Sequence, residues 1–159
     1  MIHFLRHADA AGRRDWVGPD RDRPLTEEGR RQARAVADRL SAGGVARILS
    51  SPFRRCVESV EPLAAATGIP VEIEAALAEG ADRERVADLV REVAAGTVLC
   101  SHGDVAGDLI GRLAAEGADL DAGPIWEKGS VWHLERGPGG TVLRGRYVPP
   151  VRGRPPSGS

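Results

Sequence analysis

The chain has 159 residues, 42% of them hydrophobic, with 22 lysines and arginines against 23 aspartates and glutamates. That size predicts one folded unit able to bury a core without help from disulfides or metal. Two cysteines, Cys56 and Cys100, match neither a disulfide framework nor zinc-ligand spacing, so a reducing, cytoplasmic setting is expected and both thiols read as small buried hydrophobes.

No apolar run approaches the roughly 18 residues of a membrane span, so no membrane partner is expected. The apolar start, Met1 to Leu5, runs straight into Arg6 and His7, unlike a secretory signal. Charge is unevenly spread. Residues 1 to 55 carry 12 arginines and 7 acids, residues 56 to 128 carry 5 bases and 15 acids, and residues 129 to 159 carry 5 bases and 1 acid. A basic first third suits a small anionic ligand, whereas the acidic middle argues against a nucleic-acid partner.

Ile2 to Leu5 reads as a short buried strand ending at Arg6-His7. Residues 8 to 25, rich in Gly, Arg, Asp and Pro, form a long loop of the kind that commonly serves function. Thr26 caps a helix with Glu27 and Glu28 in its first turn and an apolar stripe of Ala33, Val36, Ala37 and Leu40, stopped by Gly43-Gly44. Ala46 to Leu49 is a second strand. Ser51 is expected to cap the next helix, with Pro52 at its first position and Phe53, Val57, Val60 and Ala64 facing inward. Val71 to Ile73 is a strand, and a loop through Glu79-Gly80 leads to Asp82, which caps a helix carrying Val86, Leu89, Val90 and Val93. Thr97 to Ser101 is a buried strand ending at His102-Gly103, and Asp104 opens a helix through Leu109, Ile110 and Leu113. Ser130 to Leu134 and Thr141 to Tyr147 flank a Gly-Pro-Gly-Gly turn as a closing hairpin. This alternation predicts an α/β sandwich with a mostly parallel central sheet over residues 1–148. The Pro/Gly-rich tail, 149–159, has almost nothing to bury and is expected to be flexible.

Three apolar strands each end in groups that handle phosphate: Arg6-His7, Ser50-Ser51 with Arg55 one turn on, and Ser101-His102-Gly103. Ligands of open α/β sheets bind beyond the carboxyl ends of the strands, so these residues should converge into a pocket with two histidines and two arginines. Arg55, in a first helical turn, would lean back toward free backbone N–H groups that already favour an anion. His3 and His133, both mid-strand, are expected to be structural. Other phosphate chemistries fail on the letters. A thiolate phosphatase needs an arginine six residues after its cysteine, but Ala106 follows Cys100 and Pro62 follows Cys56 at that spacing. Asp20-Arg21-Asp22 imitates an aspartyl nucleophile pair, yet no strand precedes it. Lys128 is the only lysine and no Gly-rich loop follows a strand, which removes a nucleotide-triphosphatase loop. With two well-placed histidines, no metal or other cofactor is expected.

Four blocks then carry a likeness: Leu5-Arg6-His7-Ala8-Asp9-Ala10; Arg23-Pro24-Leu25-Thr26-Glu27-Glu28-Gly29 with Gln32-Ala33; Ser50-Ser51-Pro52-Phe53-Arg54-Arg55-Cys56; and Ser101-His102-Gly103. In that order they resemble the histidine phosphatase superfamily, the phosphoglycerate mutase-like group, and among it the short bacterial members of the SixA type and those joined to Nudix hydrolases. The resemblance implies a three-layer α/β/α sandwich and a phosphatase without metal. It implies His7 as the nucleophile that becomes phosphorylated, and Arg6, Arg55 and His102 as the clamp on the phosphoryl oxygens. The proton donor of the family falls in a Leu-x-Glu context, matched here by Leu77-Ala78-Glu79. Ala8 stands where the family usually has glycine, and fewer than 50 residues separate Ser51 from Cys100, so the insert that encloses sugar phosphates in the mutases is missing.

The resemblance implies a small phosphorylated substrate, an ester or anhydride with nucleotides among them. A phosphohistidine protein phosphatase and an inactive phosphate-binding module are the alternatives. A phosphoprotein or a Nudix hydrolase is the corresponding partner. Arg13, Trp16 and Arg54 are candidates for the rim that chooses the leaving group, with Arg14, Arg21 and Trp126 beside them.

Overall fold

The computed structural model describes residues 1–152. Its strands are β1 (Ile2–Arg6), β2 (Arg47–Ser50), β3 (Val71–Ile73), β4 (Thr97–Ser101), β5 (Asp119–Leu120), β6 (Val131–Arg136) and β7 (Val142–Val148). Its α-helices are α1 (Glu27–Leu40), α2 (Arg54–Thr67), α3 (Arg83–Glu92) and α4 (Gly103–Ala115). The strands make one sheet in the order β3-β2-β4-β1-β6-β7-β5. β1 to β4 run parallel, while β6 and β7 return as the expected antiparallel hairpin beside β1.

Alternation along the central strands fills both faces. Ile2 and Phe4 of β1, with Leu99 of β4, pack under α3 and α4. Leu5, Val98 and Cys100 point the other way, onto Val36, Ala37 and Leu40 of α1 and Cys56, Val60 and Leu63 of α2. The result is the three-layer α/β/α sandwich. Helix starts follow their caps: the Thr26 hydroxyl accepts from the Gly29 N–H and the Asp82 carboxylate from the Glu84 N–H.

Register sets the functional edge. Arg6 pairs with Ser101 across β1 and β4, and Ser50 with Cys100 across β2 and β4, so the three carboxyl ends finish side by side. The long loop is ordered by a bridge between Ala10 and Leu25 and by a 3₁₀ turn, Asp20–Asp22. Gly29 lets it pass close to α1, because a Cβ there would collide with the Asp9 carbonyl.

Several expectations need correcting. α2 begins at Arg54 with Phe53 as its uncapped N-terminal flank, not at Pro52 under a Ser51 cap: the Ser51 oxygen accepts from the Phe53 N–H ahead of the helix, and the hydroxyl is held on His102. Its buried face is accordingly Arg55, Cys56, Ser59, Val60 and Leu63. Of the four positions expected inward, Val60 is fully buried, and Phe53, Val57 and Ala64 are half-buried. α4 starts one residue early, with His102 as its N-terminal flank. Two-residue β5, pairing parallel with β7, is too short to leave a hydrophobic pattern. β7 ends at Val148, and the start of the expected tail is tied down: Pro149 accepts from Arg39 and Arg152 donates to Glu127. Residues 153–159 of that tail lie outside the described residues. Among the described residues no helix is long and apolar enough to cross a membrane.

Candidate active site

The carboxyl ends of β1, β4 and β2 bring together the groups that sequence scatters. The His7 N–H donates to the Ser101 carbonyl at 2.9 Å and the Ser51 N–H to the Cys100 carbonyl at 3.0 Å. The His7 and His102 ring centroids are 5.5 Å apart in an edge-on arrangement. His7 Nδ1 lies 2.7 Å from the Ala8 carbonyl oxygen. A carbonyl only accepts, so Nδ1 carries the hydrogen and Nε2 keeps its lone pair. Burial drives the His7 pKa down to about 3 against the opposing Ala8 carbonyl, and the His102, Arg55 and Arg6 charges push it the same way as burial. The ring is therefore neutral at pH 7.

His102 is held from behind. Its Nε2 is 2.8 Å from Ser51 Oγ, which also accepts from the Phe53 N–H at 3.2 Å. Ser51 thus occupies Nε2 and leaves Nδ1 as the ring nitrogen without a protein partner. The Phe53 ring fixes the plane, edge-on at 4.8 Å.

Both guanidinium forks are clamped in the same way. Arg6 Nη1 donates to the Trp126 carbonyl at 2.9 Å, and Arg55 Nη1 donates to the Asp20 carbonyl at 3.1 Å. Arg6 Nε, Arg55 Nε and His102 Nδ1 are buried without a hydrogen-bond partner, and all three residues line one cavity with His7. Buried donors are almost always paired. Two guanidiniums and a second imidazole beside a neutral imidazole suit an oxyanion, and the forks have a geometry that matches phosphate.

The cavity measures about 670 Å³, far more than a phosphoryl group fills, so its outer part is open to a leaving group. Glu79 forms one wall: its carboxylate accepts from Arg13 Nη2 at 2.9 Å and from Arg55 Nη2 at 3.2 Å. Asp104, in the first turn of α4, accepts from the Gly80 N–H at 3.1 Å and so ties the Glu79 loop to α4.

The sequence profile described as Histidine phosphatase superfamily (branch 1) matches residues 2–84. This chain belongs to the histidine phosphatase superfamily. An 8-oxo-(d)GTP phosphatase of Mycolicibacterium smegmatis is 30% identical over 155 residues, covering 94% of this chain and 48% of that protein. An uncharacterized protein of Picosynechococcus is 43% identical over 67 residues, covering 41% of this chain and 40% of its own length. The histidine phosphatase chain thus spans about half the length, or less, of these curated relatives. In fold it is similar to the protein histidine phosphatase SixA complexed with tungstate, with TM-score 0.72, 23% identity and 94% coverage of both chains. It is likewise similar to a mycobacterial glucosyl-3-phosphoglycerate phosphatase complexed with VO3, with TM-score 0.65, 20% identity and coverage of 92% and 96%.

Of the expected rim of this histidine phosphatase, Arg13 and Trp126 line the cavity. Trp16 and Arg54 do not: the Trp16 indole donates back into its own loop at Pro19, and Arg54 pairs along α2 with Glu58 at 2.9 Å. Arg14 and Arg21 are exposed loop residues away from the lining. Arg23 and Lys128, which sequence reasoning did not single out as ligands, do line it. So does the support given by Ser51, Ser59 and Asp20 escape a reading by motif, although Ser51 stands inside a recognised block. Ala8 needs no glycine-like backbone, since no non-glycine among the described residues has positive φ. Its methyl packs with Ala10, Leu25 and Ala33, and its N–H donates to Ser59 Oγ at 2.9 Å. His3 and His133 sit apart, as a pair with Nδ1 atoms 2.7 Å from each other. Among the described residues no three His, Cys, Asp or Glu side chains converge to hold a metal ion.

Proposed function

We propose that the chain hydrolyses small phosphate esters or anhydrides, nucleotides among them, through a phosphohistidine on His7. The observation that carries this reading is the set of two guanidiniums and a second imidazole around a neutral imidazole whose free nitrogen is Nε2. In the first step Nε2 attacks phosphorus while the bond to the leaving oxygen breaks. Arg6, Arg55 and His102 receive the negative charge that spreads over the equatorial oxygens, each charge-assisted hydrogen bond contributing about 1.5–3 kcal/mol. Glu79, when protonated, gives its proton to an alkoxide leaving group, then as carboxylate takes one from the water that attacks phosphohistidine. Inorganic phosphate and a neutral His7 remain.

The relative from M. smegmatis acts on 8-oxo-(d)GTP by its name, and a cavity with room beyond the phosphoryl group suits a leaving group of nucleotide size. A second reading, phosphohistidine protein phosphatase, is favoured by the engagement of Glu79 with two guanidiniums, because an imidazole leaving group makes no demand on a proton donor. Residues 1–148 are proposed as the catalytic domain in either case.

Incubation with radiolabelled phosphodonors tests the scheme. Wild-type protein is expected to acquire acid-labile, base-stable label, and His7→Ala to acquire none. Equal labelling of the variant, or turnover without label, refutes the covalent step on His7, whereas neither label nor turnover on any donor leaves the inactive binding module. A panel of nucleotides, sugar phosphates, polyphosphate and a phosphohistidine peptide then separates the two substrate classes.

A further inference from the structure

The Asp20 carboxylate and Arg13, which the scheme above does not use, close a ring of charges around the inner arginine. Arg55 Nη2 is 3.2 Å from Asp20 Oδ2 and 3.2 Å from Glu79 Oε2, while Arg13 reaches Glu79 at 2.9 Å and Asp20 at 3.8 Å. Arg23 Nε adds a fifth contact, to Asp20 Oδ1 at 3.1 Å. The two cations and two carboxylates alternate around the ring. Its members differ in exposure: the Arg55 side chain is 1% exposed, whereas those of Asp20 and Arg13 are 42% and 65% exposed.

Asp20 acts on Arg55 through two different atoms. The main-chain carbonyl holds Nη1 and so orients the fork. The side-chain carboxylate, on Nη2, offsets the charge that the fork would otherwise direct wholly at a bound anion. Arg13 acts in the opposite sense, because it draws part of the Asp20 and Glu79 charge away from Arg55. Guanidiniums of Arg55, Arg23 and Arg13 outweigh partial burial and keep the Asp20 carboxyl below the usual carboxylate range, so the offset persists at neutral pH.

We propose that Asp20 is a positioning residue that holds down the anion affinity of the phosphoryl site, with Arg13 as its counterweight. Charge enough to stabilise the transition state would, unmoderated, also retain inorganic phosphate; a carboxylate sharing Arg55 favours release of the product. This inference rests on the reading of the cavity as a phosphoryl site but not on its chemistry.

Binding of tungstate and of inorganic phosphate, by calorimetric titration, tests it without turnover. Asp20→Asn keeps the carbonyl clamp and removes the charge. Both anions are expected to bind about two- to fivefold more tightly, the size expected for a partly exposed ion pair, and KM to fall without a rise in kcat. Arg13→Gln is expected to weaken both anions by a similar factor. A merely structural role for either residue would weaken binding in both variants. Equal or weaker binding by Asp20→Asn, or equal or tighter binding by Arg13→Gln, overturns the proposal. Should Asp20→Asn not fold, Asp20→Ala, which keeps the same main-chain carbonyl and removes the same charge at a side chain that is 42% exposed, takes its place with the same expected tightening. Failure of wild-type protein to bind either anion refutes the phosphoryl site itself, whereas binding without phosphohistidine formation refutes only the covalent mechanism.

Discussion

Replacing Gly103 by alanine should cost activity while leaving the fold at least as stable. A Cβ at this first position of α4 would stand 2.8 Å from Cζ and Nη2 of Arg6 and 3.0 Å from Nε. The guanidinium cannot simply swing aside, because Nη1 is held by the Trp126 carbonyl. Reaching ordinary contact requires a displacement of roughly 0.6 Å in a site where a 1 Å error costs about 10²-fold. A fall in kcat/KM of about 10- to 100-fold follows, equivalent to about 1.4–2.7 kcal/mol of transition-state stabilisation. Loss of glycine from a helix is itself worth up to about 0.5–1 kcal/mol in favour of the folded state, so the thermal midpoint should hold or rise. Steady-state hydrolysis of p-nitrophenyl phosphate measures the first effect and thermal unfolding the second. Gly111→Ala is the control: it lies on the same face of α4, with nothing within 4 Å of its Cβ, and should gain stability with unchanged activity. Wild-type kcat/KM in a folded Gly103→Ala protein would refute the assignment of Arg6 to the phosphoryl group.

Glu79→Gln is expected to lose about 10²–10⁴ in kcat/KM on alkyl phosphates, the range of a positioned acid, and far less on p-nitrophenyl phosphate, whose leaving group departs unprotonated; an equal loss on both would count against the proton-donor role. Ser51→Ala leaves the buried His102 Nε2 with only the Cys56 thiol, 3.5 Å away, so urea unfolding should report a loss of about 1–3 kcal/mol together with reduced turnover, and unchanged values of both would refute the orienting role. The paired His3 and His133 predict acid sensitivity. Burial first, and then the His3, Arg146 and Arg39 charges, lowers the His133 pKa to about 4; burial and the N-terminus lower that of His3. The unfolded chain then binds more protons below about pH 6.5, so stability is complete above that value and falls as pH drops toward 4. Discounted for solvent access, the effect at His133 is of the order of 1 kcal/mol. Urea midpoints between pH 4.5 and 7 should slope less in His133→Gln than in wild type, and parallel slopes would refute the linkage.

The layers were legible because their signals are local. Thr26 and Asp82 act as caps within three residues of themselves, and the burial of Ala33, Val36, Ala37 and Leu40 follows from helical spacing alone. The start and phase of α2 were not legible, for a reason that lies in the site. Ser51 does accept a main-chain N–H, that of Phe53, but its hydroxyl is fixed on His102, at the end of another strand, and the helix opens only at Arg54. Arg55 likewise takes a buried position that a hydrophobic pattern would assign to an apolar side chain. Phe53 is displaced to the helix flank, where it packs on His102 and under the Arg55 guanidinium at 4.9 Å.

The amino-acid order by itself determined the alternating elements, the family, and the identity of the two histidines and two arginines at the strand ends. Those follow from residue type and short-range spacing. Tertiary structure alone decided which nitrogen of His7 is free, which atoms of Arg6, Arg55 and His102 the protein leaves without a partner, and that Asp20 shares Arg55 with Glu79. The contacts of Arg6, Arg55 and His102 are to groups remote in the chain, such as the Trp126 carbonyl on Arg6, and exist only once β1, β2 and β4 pair in register; that of His7, to the adjacent Ala8 carbonyl, depends on a side-chain rotamer that residue order does not display.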